Sequence, residues 1–263
     1  MNTDKEELFF KKRLLESAQL AFQKGIPVYT DFLGLAEQNL FFGCIRELPP
    51  IAYSCYGGTE HAERYCICFD GMEPVTTAKQ VMVTMKDFFP ISCIRITPSG
   101  LKYSENLTHR DCLGALMHLG ITRAKLGDIF IKDKVIYVFC TDSIAEFICK
   151  ELFQIKHTQV HCEIIVPEEE ALTPSFQQIS GTVASLRLDA FIALAFQTSR
   201  SSMTEYIDGG KTYINGKLSI KQGEQLEEGD VVSVRGKGRF LVDRIKNQTK
   251  KGRIAVEIKK YIS

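Results

Sequence analysis

Residues 198–217 read TSRSSMTEYIDGGKTYINGK, and this stretch decides how the last third of the chain folds. Thr198 or Ser199 supplies a side-chain oxygen able to cap a helix. Gly209-Gly210 supplies the positive φ that ends that helix. Lys211-Thr212-Tyr213-Ile214 then runs as a strand into Asn215-Gly216, a dipeptide whose backbone preference matches a tight hairpin turn. Upstream, residues 183–196 predict a first short helix with Arg187 near its start. Downstream, Glu228-Gly229-Asp230 predicts another turn, residues 231–235 a strand, and Gly236-Lys237-Gly238-Arg239 a basic loop. The expected unit, residues 181–263, is two helices on a small, strongly twisted sheet.

Working outward, residues 74–166 alternate short strands and helices. Ile91–Pro98 alternates apolar and polar residues like a strand, and residues 106–119 are helical with Leu113, Leu116 and Met117 on one face. Residues 127–131 and 135–140 are strands around the polar Lys132-Asp133-Lys134, residues 144–153 a helix and residues 160–166 a last strand. The order β-α-β-β-α-β is that of the ferredoxin-like and RNA-recognition-motif architecture. Tyr137 and Phe139 fall on one strand face, open to base stacking or to packing; without a basic, glycine-rich setting, packing is favoured. Residues 4–24 and 31–39 predict helices and residues 51–55 and 65–70 strands, a mixed α/β domain over residues 1–73. Residues 167–180, with Glu168-Glu169-Glu170 and two prolines, read as a linker. The fold class expected is α+β, in three small domains.

Of the 263 residues, 44% are apolar and 25% charged, an ordinary globular balance. No apolar stretch approaches the roughly 20 residues that span a bilayer, so a cytoplasmic protein without a membrane partner is expected. Nine cysteines, an odd number scattered through the elements, predict reduced thiols. Cys66 and Cys68 share a strand face, but no second pair completes a zinc set, so no metal and no cofactor is expected. The net charge of +1 conceals an asymmetry: residues 1–180 carry 18 Lys and Arg against 23 Asp and Glu, and residues 181–263 carry 15 against 9. A basic module on an acidic body suits a polyanion at one end and leaves room for protein partners at the acidic N-terminal domains.

Arg187-Leu188-Asp189, Ser199-Arg200-Ser201, Ile214-Asn215-Gly216 and Gly229-Asp230, in this order, resemble the small RNA-binding domain named after ribosomal protein S-four, or alpha-L motif. The whole chain resembles one narrower family, the bacterial YlmH-type proteins. That likeness is carried by Gly57-Gly58, Ala62-Glu63-Arg64, Leu107-Thr108-His109-Arg110-Asp111, Leu119-Gly120-Ile121, Gly127-Asp128-Ile129 and Arg235-Gly236-Lys237-Gly238-Arg239. The resemblance implies binding to structured RNA, ribosomal RNA and tRNA on the large ribosomal subunit, and a role in ribosome quality control through rescue of stalled nascent chains.

The RNA-contact residues expected are Arg187, Ser199, Arg200, Ser201, Lys211, Lys217, Arg235, Lys237 and Arg239. Helix N-termini turn free N–H groups toward phosphate, and a guanidinium takes phosphate bidentately. Asp189 is expected to brace Arg187 rather than meet an anion. Where some relatives of the module carry a basic residue after the Ser-Arg-Ser step, this chain has Ser202, Met203 and Thr204. Lys250-Lys251 reads either as a contact or as a solvated tail.

An enzyme is not expected. His109-Arg110-Asp111 evokes a kinase catalytic loop, but Leu116 stands where asparagine is needed, and the periodicity makes it a helix start capped by Thr108 or Asn106. Arg187-Leu188-Asp189 echoes pseudouridine synthases without a synthase domain beside it. His61 with Glu60 and Glu63 forms a potential acid/base cluster in a turn-rich, surface-type segment. Two alternatives remain: an RNA-modifying enzyme of pseudouridine-synthase type, or an interaction adaptor linked to cell division.

Overall fold

A computed structural model of the chain describes residues 3–60, 62–80, 88–100, 105–167, 172, 176–249 and 252–261. His61, Glu168-Glu169-Glu170 and Lys250-Lys251 lie outside the described residues. The chain divides into two compact units, Met1–Thr173 and Pro174–Ser263, and the architecture is mixed α+β.

The first unit opens with α1 (Thr3–Lys24), β1 (Pro27–Tyr29), α2 (Leu35–Cys44), β2 (Ile51–Tyr56), β3 (Cys66–Pro74) and β4 (Lys79–Gln80). The strands form a sheet ordered β1-β3-β2-β4. Leu14, Ala18 and Ala21 turn the inner side of α1 onto Ile67 and Phe69, and small alanines let the helix lie close. A Cβ on Gly71 would sit 1.9 Å from the Ala21 carbonyl oxygen, so this approach needs glycine. Helix α2 begins later than residues 31–39 suggest, because Gly34 serves as its N-cap and Glu37 accepts the Gly34 N–H at 2.7 Å.

There follow β5 (Ile91–Pro98), α3 (His109–His118), β6 (Leu126–Lys132), β7 (Val135–Thr141), α4 (Asp142–Glu151), β8 (Gln154–Ile155) and β9 (Thr158–Ile165). The sheet order is β6-β7-β5-β9-β8, with β5 antiparallel to β7 and β9. This is the β-α-β-β-α-β pattern legible in the sequence, with β8 as an added edge. Strand alternation sends Ile94, Ile96, Ile136, Val138 and Cys140 to one face, where Cys112 and Leu116 of α3 and Ala145 and Ile148 of α4 cover them. His109-Arg110-Asp111 is a helix start: Thr108 caps α3, and Asp111 accepts the Thr108 N–H at 2.9 Å in a capping box.

The opposite face of this sheet is where an RNA-recognition motif would stack bases. Here it is packed under the chain's own N-terminal layer. Phe139 is 2% exposed, within a cluster containing Phe32, Cys66, Cys68, Phe89, Cys93 and Leu172, with Tyr137 at its margin. Residues 57–60 and 62–64 form the clasp. A Cβ on Gly58 would lie 2.1 Å from the Phe139 ring. Arg64 donates from Nε to the Leu126 carbonyl at 3.0 Å and from Nη2 to the carbonyls of Phe32 at 2.9 Å and Arg123 at 3.3 Å. Asp128 accepts the backbone N–H of Glu63 at 2.6 Å and of Arg64 at 3.2 Å. Burial lowers both guanidinium pKa values, and Arg123, also facing Arg64, is brought down to about 10. The boundary expected near residue 73 is therefore internal to one unit, because both sheets share this core.

The second unit contains β10 (Phe176–Val183), α5 (Leu188–Ala195), α6 (Arg200–Asp208), β11 (Thr212–Ile214), β12 (Lys217–Leu218), β13 (Val231–Val234), β14 (Gly238–Gln248) and β15 (Ile254–Tyr261). Its sheet runs β10-β15-β14-β13-β11-β12. Asn215 and Gly216 adopt φ values of 50° and 78°, as the hairpin requires. Two expectations are corrected. Residues 176–180, expected in a linker, are the first part of β10, paired along β15 with Phe176 opposite Tyr261. Residues 183–187, expected in a helix, precede α5, whose N-cap is Arg187. Gln177, Gln178 and Ser180 gave the strand a polar cast that concealed its pairing.

Candidate nucleic-acid interface

The C-terminal core is Leu188, Phe191 and Ile192 of α5 and Met203 and Ile207 of α6, seated on Val232, Val234, Phe240, Val242, Val256 and Ile258 of the sheet. Because these residues face inward, the beginning of α6 and the β13–β14 turn form a rim around the core. Ser199 caps α6, its Oγ accepting the Ser202 N–H at 3.2 Å and lying 3.0 Å from the Ser201 hydroxyl. Arg200 follows, exposed, in the first helical position. The serine hydroxyls are therefore engaged in building the helix start, and Arg200 is the residue that projects from it.

Tyr206 lies on α6 seven residues beyond Ser199, two turns along the same side. Lys211 Nζ and Lys237 Nζ each stand 5.4 Å from the centre of its ring. The π face attracts each ammonium, while the two charges repel one another. Neither lysine has a carboxylate partner among the described residues, so an anion beside the ring would relieve the repulsion. The turn carrying Lys237 also passes Phe196: a Cβ on Gly238 would lie 3.9 Å from that ring, and Lys260 Nζ stands 5.0 Å from its centre. Phe196 and Tyr206 bracket Ser199 and Arg200 in sequence. The basic turn and the α6 start thus border one surface.

Strand alternation divides residues 235–239. Gly238 shares the helix-facing side with Phe240, whereas Arg239 emerges on the other face, 4.0 Å above the Tyr261 ring, which in turn meets Phe176 edge-on at 4.8 Å. Arg235 is exposed between them and its N–H donates to the Lys211 carbonyl at 2.8 Å. Lys217 is exposed on the hairpin strand β12.

Arg187 is held apart from this rim. Its guanidinium grips Asp189 through Nε at 3.1 Å and Nη2 at 3.3 Å, with Asp189 7% exposed, the bracing expected from charge sign. It sits at the start of α5, whereas Ser199 follows the end of α5, so the eight-residue helix separates them by about 12 Å. Other cations of the basic tail support the sheet. Arg253 donates to the Thr182 hydroxyl at 2.9 Å and the Thr182 carbonyl at 2.7 Å, Lys246 pairs with Glu257, and Lys259 pairs with Asp243 at 2.8 Å.

Sequence reasoning missed Phe196, Tyr206, Lys260 and Tyr261. The heptad spacing of Ser199 and Tyr206 was a signal for one of them. The β14–β15 register that places Lys260 opposite Phe240 had no local signature.

Comparison with known proteins adds to this geometry. Residues 85–169 match the family model described as "Putative RNA-binding domain in YlmH". A curated relative, "Ribosome-associated protein quality control protein P2" of Bacillus subtilis, is 26% identical over 251 residues, covering 94% of this chain and 92% of its own. These two matches support the YlmH family. Among solved structures, "Cell division protein ylmH from Streptococcus pneumoniae" is 22% identical, covers 63% of this chain and 93% of its own, and has a TM-score of 0.48.

Proposed function

We propose that this chain is a ribosome-associated RNA-binding protein acting without catalysis, and that the rim of its C-terminal unit docks on structured RNA. The observation that carries this reading is the Tyr206 ring in the last turn of α6, with the ammonium groups of Lys211 and Lys237 each 5.4 Å from its centre. Uncommitted ammonium groups fixed by a ring are pre-positioned for phosphates, and Arg200 and Arg235 extend the positive edge. The relative's name and the family description support the same class. The finer reading places the rim on ribosomal RNA and tRNA of the large subunit, in cytoplasmic rescue of stalled nascent chains. Arg187 would join as a braced contact at the far end of α5, and Arg239 through the opposite sheet face.

The test is co-sedimentation of the full chain with isolated large subunits across a salt series. Substituting Arg187→Ala together with Arg200→Ala, or Lys211→Ala together with Lys237→Ala, should weaken pelleting and flatten the salt dependence. Wild-type pelleting by both double variants overturns the residue assignment. Equal pelleting by large and small subunits overturns the large-subunit reading.

A further inference from the structure

With its sheet face covered by the N-terminal layer, the five-stranded domain has its helical side left for a ligand. On its helical side a groove of about 480 Å³ runs between α3 and residues 151–156. Arg110, Gly114 and His118 line one wall, at a spacing of four residues that puts them on one face of α3. Phe153, 69% exposed, and Lys156 line the other.

Gly114 is the informative residue. A mid-helix glycine weakens a helix relative to alanine, and such a cost ordinarily follows from close packing. Here a Cβ would meet nothing within 4 Å. The chain itself gives no steric reason for glycine, whereas a ligand lying along the groove would. The groove's chemistry narrows the ligand. Arg110 has no ion-pair partner among the described residues, and Phe153 offers a bare ring across from it. Two acids also line the groove: Asp111 is neutralised by Lys156 at 2.8 Å and occupied by the Thr108 cap, and Glu151 stands on the wall that carries Phe153, so the place for a phosphate is the Arg110 end of the α3 wall.

We propose that this groove binds a single-stranded RNA segment, with a phosphate on Arg110, a base against Phe153 and the backbone passing over Gly114. A flexible strand fits because a stacked base needs a free π face and a duplex keeps its faces covered. The proposal rests on the RNA-binding reading above but concerns a different surface, so the two can fail separately.

The experiment uses the full chain, a short fluorescein-labelled oligouridylate and, in parallel, a folded RNA hairpin, with anisotropy as the readout. Gly114→Leu fills the groove from its α3 wall with a better helix former, so it should melt at or above the wild-type temperature yet bind oligouridylate about tenfold more weakly, the equivalent of one lost base stack. Phe153→Ala should do the same, ultraviolet cross-linking should mark the peptide containing Phe153, and hairpin binding should survive both changes. Wild-type oligouridylate affinity in both variants, or no oligouridylate binding by the unaltered chain, overturns the groove proposal. If Lys211→Ala with Lys237→Ala still loses hairpin binding in that case, the rim reading stands. Loss of a protein partner alone in Gly114→Leu, with oligouridylate binding intact, also overturns the RNA assignment.

Discussion

Phe139 and Tyr206 are both aromatic side chains on elements that nucleic-acid readers use, one on the central part of a β-α-β-β-α-β sheet and the other on a helix beside a basic turn. Phe139 is closed off by Gly58, Phe32 and the Arg64 clasp. Tyr206 is partly buried and approached by two ammonium groups. The contrast teaches that an architecture does not choose a binding face; what else the chain stacks on that face does. The same fold pattern that suggested RNA on the sheet supplies, in this protein, the floor of a shared core.

The largest expected effect tests the closed side of the comparison. Arg64→Ala removes three hydrogen bonds, a loss of about 3 kcal/mol at about 1 kcal/mol each, although the Leu126 carbonyl keeps Arg123 Nη1 at 2.6 Å and the Arg123 carbonyl keeps the Leu126 N–H. Thermal melting of the first unit should shift down clearly, while hairpin RNA affinity at the C-terminal rim is retained at temperatures where both units are folded. Gly58→Ala comes next. It forces a Cβ toward the Phe139 ring at a φ of 98°, costing about 2 kcal/mol from clash and backbone strain together. A wild-type melting temperature for that variant would mean the N-terminal layer is not fastened as described.

On the open side, Lys211→Ala with Lys237→Ala should lower RNA affinity about tenfold at low salt and reduce the salt slope by roughly 1.5 to 2, with little change in melting temperature. Tyr206→Phe keeps the ring and should leave affinity and slope within about twofold, whereas Tyr206→Ala should approach the double lysine variant.

How much of this was legible beforehand depends on the range of the interaction. The Asn215-Gly216 turn, the Ser199 cap and the alternation of Ile94 and Ile96 are local, and they were readable from spacing alone. The likeness of Ala62-Glu63-Arg64 and Gly127-Asp128-Ile129 to one family was visible as motif, but not its reason. Arg64 and Asp128 meet across 64 residues, and no periodicity reports a clasp of that span. Arg187 and Ser199 illustrate the converse. Both are helix starts of one basic module, and the eight residues of α5 lie between them. Strand β10 failed for a third reason: its polar residues face outward and only its pairing with β15 defines it.

The thiols provide the most specific check. Cys66, Cys93 and Cys140 are pushed up to about 12 by burial, so at neutral and mildly alkaline pH none should react with a disulfide reagent before unfolding. The sign of the linkage follows. Because each folded value exceeds the ordinary 9.0, the unfolded chain releases protons first as the pH rises. Stability is intact below pH 9 and declines progressively between about 9 and 12, which a melting series across alkaline pH measures.

The shared core has a consequence for the order of synthesis. The N-terminal sheet is complete at Gln80, but the side bearing Phe32, Cys66 and Cys68 gains its cover only when Phe139 and Leu172 have emerged. A growing chain therefore carries an uncovered apolar surface through roughly a hundred further residues, on the order of 5–20 s of translation. A truncated product that ends within that interval would keep the surface exposed and offer it to chaperones and proteases, so the fold makes completeness of the first unit something the cell can sense.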